Sequence, residues 1–338
     1  MSTVKVSPDS LRVRIARIFG QLGVPDADAV IASGHLVEAD LRGVHSHGVI
    51  RVPTYVKELR AGLINPRPTI SIVSDHGGQL VVDGDNALGQ VAANHANEIA
   101  IERGRSHGMA AVALRHSNHC GTMAYYTTRA VSQGLIGIAT TNAGINMTPS
   151  GSSQKLVGNN PISIAVPSTR IWPLVLDMAT SLVAGGKLDV ARARGESIPI
   201  GWARDAGGQP TTDPTLGRAG SLEPMGGPKG YGLAVMLDIL AGVLSGGRFG
   251  AGLGAPGSAQ FFLTLDVTRF MPIDVFLERI DELIDQLHSA TLIDGVERVY
   301  VAGEIEFGLE EARNRDGIPL DVPVVEALDR VEAELGIG

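Results

Sequence analysis

MAAVALRHSNHCGTMAYY, residues 109–126, is the stretch whose reading decides the fold. Met109 to Leu114 is an apolar run of strand length, and it delivers RHSNHCG (Arg115–Gly121) at its carboxyl end. A helix is expected after it, from about Gly121 to Ser132, and a second strand from Leu135 to Thr140. A strand that hands a polar loop to a following helix is the α/β arrangement, which gathers sites in the loops at one edge of a sheet. The loop itself carries His116 and His119. Imidazole titrates nearest neutrality of all side chains and so can exchange a proton with substrate at pH 7. It is also a common metal ligand, so both readings stay open.

Upstream, Ser7-Pro8-Asp9 reads as a helix start with Leu11, Ile15, Ile18 and Leu22 at helical spacing and Gly23 as the stop. A second helix is expected over Asp26 to Leu41, and a third from near Ile50, where Pro53 falls in the first turn. ISIV and QLVVD, between Thr69 and Asp83, have strand character, and Gln90 to Arg103 reads as helix. Downstream, strands are expected at Ile162–Val166, Leu174–Leu176, Phe261–Asp266 and, last, Val299–Val301. Helices are expected at Pro228–Leu244, Asp274–Leu287 and Val322–Leu335. In the second of these Phe276, Ile280, Leu283, Ile284 and Leu287 share one face. Gly201 to Gly220 is a polar, glycine-bearing excursion that reads as irregular surface.

The 338 residues suffice for two domains or one large one, and 44% hydrophobic content is that of a globular chain. A net charge of −8 and a pI near 5.6 argue against nucleic acid as a main partner. No apolar run is long enough to cross a bilayer, and the first twenty residues lack a signal-like core. Cys120 is the sole cysteine, which excludes an internal disulfide and fits a reducing compartment. The expectation is a soluble, cytoplasmic protein with no membrane partner.

A second histidine cluster, RGVHSHGVIR (Arg42–Arg51), adds His45, Ser46, His47 and Arg51. Arg51 and Tyr55 lie four apart and share a helix face, where a guanidinium could hold a carboxylate with two parallel hydrogen bonds. Singly, such residues are more often structural than functional; it is the grouping that points to a site. Gly252–Gly257 matches the letters of G-x-G-x-x-G but has neither a preceding strand nor a following helix, so it reads as a loop. Better cradles for a phosphate or ribose are His119–Met123 and Gly226–Gly230, each at a helix start, the latter with Lys229. Four histidines could also bind zinc, although H-E-x-x-H is absent.

RGVHSHGVIRVPTYV, RHSNHCGTMAYY, GNNPISIAVP, LDMATSLVAGGK, ESIPIGWARDAGGQPTTDP, GPKGYGLAVMLDILAGVL and VAGEIEFGLEEARNRDGI follow one another in order. Together they resemble the type 2 malate/L-lactate dehydrogenase family, which includes ureidoglycolate and sulfolactate dehydrogenases and cyclic imino-acid reductases. The resemblance implies an α/β, non-Rossmann, mixed-sheet nicotinamide-binding fold of the sulfolactate dehydrogenase type. It implies a helical region formed by both termini (1–72 with about 305–338), a cofactor-binding sheet region (73–304) and a homodimer. It implies NAD or NADP as cofactor and a small carboxylate substrate. Carried over by motif, His119 resembles the acid/base, Ser46 and His47 an assisting relay, and Arg51 and Tyr55 the carboxylate contacts. His119, Cys120, Gly121, Thr122, Met123, Asp177, Met178, Ala179, Lys229, Gly230, Gly303, Glu304 and Ile305 match cofactor-contacting stretches. Lys187 stands where imino-acid reductases tend to carry an acidic residue, which favours oxo-acid chemistry. The segment between Gly250 and Gln260 is shorter than usual for the family.

The resulting expectation is hydride transfer between a nicotinamide and a 2-hydroxy acid of malate, lactate, sulfolactate or ureidoglycolate type, with no metal. Its alternatives are a cyclic imine reductase, a histidine-metal hydrolase and a cofactor-binding protein with lost catalysis.

Overall fold

The decisive strand runs from Met109 to Ser117 in the computed structural model, whose described residues are 2–254 and 257–337. It lies third in a seven-stranded sheet ordered Ser71–Asp75, Gln79–Asp83, Met109–Ser117, Ser258–Asp266, Leu135–Thr141, Ile162–Val166, Leu174–Met178. Only Gln79–Asp83 and Met109–Ser117 pair in parallel; every other neighbour is antiparallel. A Rossmann sheet would set Met109–Ser117 beside the next parallel strand. Here the late strand Ser258–Asp266 is inserted between that strand and Leu135–Thr141, Phe262 pairing with Val112 on one side and Ala139 on the other. The fold is therefore α/β with a mixed, open sheet, and Gly252–Gly257 opens no dinucleotide turn; its Ala255 and Pro256, like part of the short 250–260 segment, lie outside the described residues.

Two helices cover one face, Gly89–His107 and Ala124–Val131. The first presents Ala92, Ala93, Ala96 and Ala100, small residues that let it sit close over Leu80, Val82, Val112, Leu114 and Phe262. The opposite face is covered by Pro228–Asp238, expected to run on to Leu244 as α-helix but widening into a π-turn at Ile239–Val243. Helices Pro8–Gln21, Asp26–Leu41 and Val52–Arg60 make a second core with the terminal helix Val322–Leu335; Leu11, Ile15, Leu36, Val56, Leu328 and Val331 meet there. Strands Thr3–Val6 and Ile318–Asp321 pair antiparallel beneath them.

Several elements depart from the sequence reading. The Gly201–Gly220 excursion is ordered: it holds strands Ala203–Arg204 and Pro210–Thr211 and the helix Pro214–Ala219, capped by Asp213. With Ser221–Leu222, Ile145–Met147 and Val157–Gly158 these strands form a small second sheet. Val299–Val301 is not a strand, because the run forms no ladder and instead leads into Gly303 and the helix Glu304–Asp316. Of the apolar face read on Ile273–His288, only Ile284 is buried, while Leu283 and Leu287 face solvent in this chain. No described helix is long and apolar enough to cross a membrane.

Candidate active site

The site lies where the helical core meets the end of the sheet. The helix Asp26–Leu41 ends with a buried aspartate, Asp40, whose Oδ1 accepts a 2.7 Å hydrogen bond from His45 Nδ1. Its Oδ2 accepts from the Val49 N–H at 2.8 Å. These two bonds hold the 3₁₀ turns His45–His47 and Val49–Arg51 so that Ser46, His47 and Arg51 face a cavity of about 780 Å³. Arg313 reinforces the clamp through the Asp40 carbonyl and His45 Nε2. From the sheet, the loop after Met109–Ser117 brings His119 to the same cavity, and its ring stacks on His47 with centroids 5.4 Å apart.

His119 is held from behind. Tyr55 Oη lies 2.6 Å from His119 Nδ1 and accepts a 2.9 Å bond from Gln90 Nε2. Tyr55 is therefore buried and its hydroxyl engaged, so it does not meet a substrate carboxylate as the sequence suggested; it orients the imidazole instead. Ser46 Oγ lies 2.9 Å from His47 Nδ1. Arg51 lines the cavity, and its Nε is buried behind the wall without a hydrogen-bond partner.

Burial pushes the His47 imidazole down to about 4, with Arg51 adding to the effect. Burial, then His47, Arg51 and His35, hold His119 well below its ordinary value. Both rings are thus neutral at pH 7, as a proton acceptor requires. Arg51 is the positive charge nearest them, and a bound anion beside it would offset its field.

The remaining wall comes from His119–Ala124, Thr141–Gly144, Val175–Ala179 and Tyr300–Gly303, with Ile305 and Glu306. Asp177 is exposed to the cavity, yet the cavity walls around it keep it from bulk water, and this desolvation pushes its carboxyl up to about 6 although the Ala124 N–H donates to it at 2.8 Å. Gly303 makes the close approach possible: its φ is +89°, and a Cβ there would stand 3.0 Å from the Val175 nitrogen. Gly121, at φ +81°, likewise lies where a Cβ would meet the buried His35 ring at 2.0 Å. Cys120 is a buried neighbour of His119 whose thiol burial pushes up to about 12. It is no nucleophile in this state, and a disulfide reagent at about pH 8 is expected to label it only after denaturation; rapid labelling of the folded protein would contradict this.

Other sequence-chosen residues lie elsewhere. Lys229 and Gly230 open the helix Pro228–Asp238 without reaching this cavity wall. Glu304 turns away to accept from His288, Arg298 and the Val301 N–H. Lys187 is exposed, with Nζ 5.7 Å from the Trp202 ring centroid, although its neighbour Gly186 approaches Ser46. The four histidines do not converge. His45 is tied to Asp40 and His116 to Asp83, and among the described residues no three His, Cys, Asp or Glu side chains are grouped as a metal would need. Sequence reasoning missed Gln90, Asn142 and Glu306; Gln90 looked like one more helical polar residue, and only the fold turns it toward Tyr55.

An open mixed sheet with this histidine–arginine cavity at its edge defines an oxidoreductase of the hydroxy-acid dehydrogenase class, outside the Rossmann folds. The chain belongs to the malate/L-lactate dehydrogenase family, whose model matches residues 6–329 and whose members are nicotinamide-dependent. Malate dehydrogenase of Pyrococcus horikoshii is 38% identical over 99% of this chain and 96% of its own. The solved sulfolactate dehydrogenase of Methanocaldococcus jannaschii superposes with a TM-score of 0.92 at 36% identity, covering 99% of this chain and 98% of that one. Malate dehydrogenase from Entamoeba histolytica reaches a TM-score of 0.96 at 28% identity, covering 100% and 99%.

Proposed function

We propose that this enzyme interconverts a small 2-hydroxy acid and its 2-oxo acid, with His119 moving the proton at the C2 oxygen. The observation that carries the reading is the placing of His119, His47 and Arg51 on the wall of one cavity large enough for a cofactor and a small acid. The residues present fit a nicotinamide dinucleotide, NAD or NADP. The His119–Met123 backbone, Asp177–Ala179 and Gly303 form the wall, Gly303 packing so close to Val175 that no side chain fits between them, with Asp177 as an acceptor for ribose hydroxyls. The nicotinamide, when bound, supplies or receives the hydride at C2.

Arg51 grips the substrate carboxylate and so fixes C2 and its oxygen opposite His119. His119 Nδ1 is taken by Tyr55, so Nε2 is the nitrogen that meets the C2 oxygen. It withdraws the hydroxyl proton in oxidation and returns it in reduction. His47, stacked on His119 and bonded to Ser46, holds the ring plane and narrows the water-accessible side. Arg51→Gln is expected to lower kcat/KM roughly a hundredfold, since removing one partner of an enclosed charge pair costs about 3 kcal/mol. Nucleotide affinity should hardly change. An unaltered kcat/KM would remove Arg51 from substrate recognition.

The assay that tests the function follows nucleotide absorbance with NADH and NADPH against 2-oxo acids and cyclic imines. Turnover with an oxo acid supports the reading and identifies both partners; turnover with imines alone replaces it. Lys187 carries no weight between the two, because it stands off the cavity wall of this chain.

We also propose a homodimer. Met236, Ile239, Val243, Leu244 and Phe249 expose an apolar stripe along and beyond the π-turn, larger than isolated surface residues account for. Light scattering during size exclusion is expected to give twice the chain mass. The unpaired, buried Cys120 supports assignment to the reducing cytoplasm.

A further inference from the structure

Behind the site, Gln90 is fully buried on the helix Gly89–His107, and among the described residues its side chain makes one hydrogen bond, which it donates to Tyr55 Oη. Its Oε1 has no partner. This leaves a three-residue chain, Gln90–Tyr55–His119, in which the hydrogens can run either way. In one direction the Gln90 amide donates to the phenol oxygen, and the phenol O–H donates to His119 Nδ1, so the ring proton stands on Nε2. Turning the amide over puts Oε1 where Nε2 was. The phenol O–H then donates to Oε1, and the phenol oxygen accepts from His119 Nδ1–H. Each arrangement leaves one amide atom unbonded, so neither gains a hydrogen bond over the other, and the amide follows the histidine's proton.

We propose that Gln90 is a positioning residue that sets the tautomer of His119 through Tyr55, presenting an acceptor when His119 carries a proton on Nδ1. The consequence is chemical, and it rests on the acid/base reading above. A base toward the C2 oxygen needs a lone pair on Nε2, hence a proton on Nδ1. The imidazolium formed when Nε2 takes the substrate proton also keeps Nδ1–H. Both working forms need Tyr55 to accept, and Tyr55 accepts only if its own hydrogen has somewhere to go. Gln90 Oε1 is that place. No bond to carbon changes in this relay: passage between the two arrangements exchanges one ring proton with water, lost at Nε2 and gained at Nδ1, while the phenol hydrogen and the amide rotate. In the catalytic step Nδ1–H stays in place and the only proton transferred is the one between the C2 oxygen and Nε2.

The other groups around the ring do not replace it. His35, from the helix Asp26–Leu41, has its Nε2–H committed to the Thr122 carbonyl. His47 and Arg51, from the 3₁₀ turns, and Glu58, from the helix Val52–Arg60, lie on the cavity side with Asp177 of the strand Leu174–Met178. Cys120 follows His119 in its own segment, buried as a thiol. Of these, His47, Arg51 and His35 disfavour charge on His119, so the relay supplies the compensating acceptor.

The test compares Gln90→Glu with Gln90→Met. Glutamate can only accept from the phenol when ionised and holds the Nδ1–H form; methionine keeps the volume but removes the acceptor and leaves the Nε2–H form. Nitrogen-15 NMR of the ring at neutral pH, with the His119 signals identified by their loss in His119→Asn, reads the tautomer without any turnover. The expected result is Nδ1–H in the glutamate variant, Nε2–H in the methionine variant and an intermediate shift in the native protein. In the pH profile of kcat/KM the His119 limb should move up by roughly one unit with glutamate and down by about one with methionine, where the rate also falls roughly tenfold. The same tautomer in both variants, or equal rate losses with an unmoved limb, would show Gln90 to be packing alone and overturn the relay. If turnover proves independent of His119, the acid/base reading fails, while the NMR comparison still decides whether the relay exists.

Discussion

His119→Ala is expected to lower turnover roughly a thousandfold, within the usual span of a lost general acid/base. The loss is large because one side chain carries two duties. Its Nε2 is the only ring nitrogen left for the C2 oxygen, and its stacking on His47 defines that side of the cavity. Nucleotide affinity should survive, since the neighbouring wall is backbone from His119 to Met123 together with Asp177 and Gly303. Steady-state rates and nucleotide fluorescence, measured on one preparation, separate the two. His116→Ala is the control: that ring is exposed, bonded to Asp83 and off the cavity, so its loss should leave the rate within about twofold. Equal rates in native enzyme and His119→Ala would refute the proposed chemistry.

The second large effect is on stability in acid. His35 is pushed down to about 3 and His47 to about 4, and His119 lies well below its ordinary value, in each case chiefly by burial. Below about pH 6.5 the unfolded chain protonates all three rings while the folded chain does not. The unfolded state then binds more protons, so stability falls as pH falls, by about 1.4 kcal/mol per pH unit for each ring. Asp177, raised to about 6, works in the opposite sense, because the folded state protonates it before the unfolded state does. Glu38, raised by burial, also opposes the loss. The net uptake on unfolding is roughly one to two protons, a slope of about 2 kcal/mol per pH unit between about pH 6 and pH 4.5. Urea midpoints across that range should fall steadily at constant protein concentration. A flat or rising midpoint would mean the rings are hydrated and charged in the folded protein.

Where periodicity and caps were strong, the sequence disclosed the structure. Asp26–Leu41 was given its observed bounds, and Met109 opened the decisive strand. What stayed hidden were features that depend on partners distant in the chain. Ala203–Arg204 and Pro210–Thr211 are too short to show alternation, and they are strands only because Ser221–Leu222 and Ile145–Met147 complete their sheet. Val299–Val301 has strand composition but forms no ladder; the chain meets the edge strand Leu174–Met178 through the Val175 N–H, which donates to the Ala302 carbonyl at 3.0 Å. The site divides the same way. Ser46, His47, Arg51 and His119 were legible as clusters of reactive types near glycines. Tyr55 was identified but given the wrong neighbour, because its helix face is visible in sequence while the burial of its hydroxyl is not. Lys229 was chosen for sitting at a helix start and Glu304 for its place in a family motif; the cavity reaches Gly303, Ile305 and Glu306 on either side of Glu304, while the start of the Pro228–Asp238 helix lies off its wall.

The pairing of Thr3–Val6 with Ile318–Asp321 bears on the order in which the molecule is built. A ribosome delivers the first three helices long before the strand and helix that complete their core, so Leu11, Ile15 and Val56 wait for Leu328 and Val331. The sheet that carries His119 closes earlier, once Ser258–Asp266 has been inserted between its two neighbours. Ser46, His47 and Arg51 hang on the late-closing body. On the ribosome, the part of the cavity wall formed by His119–Met123 and Asp177–Ala179 is therefore expected to assemble before the turns that hold Ser46, His47 and Arg51, whose supporting core waits for residues 318–335.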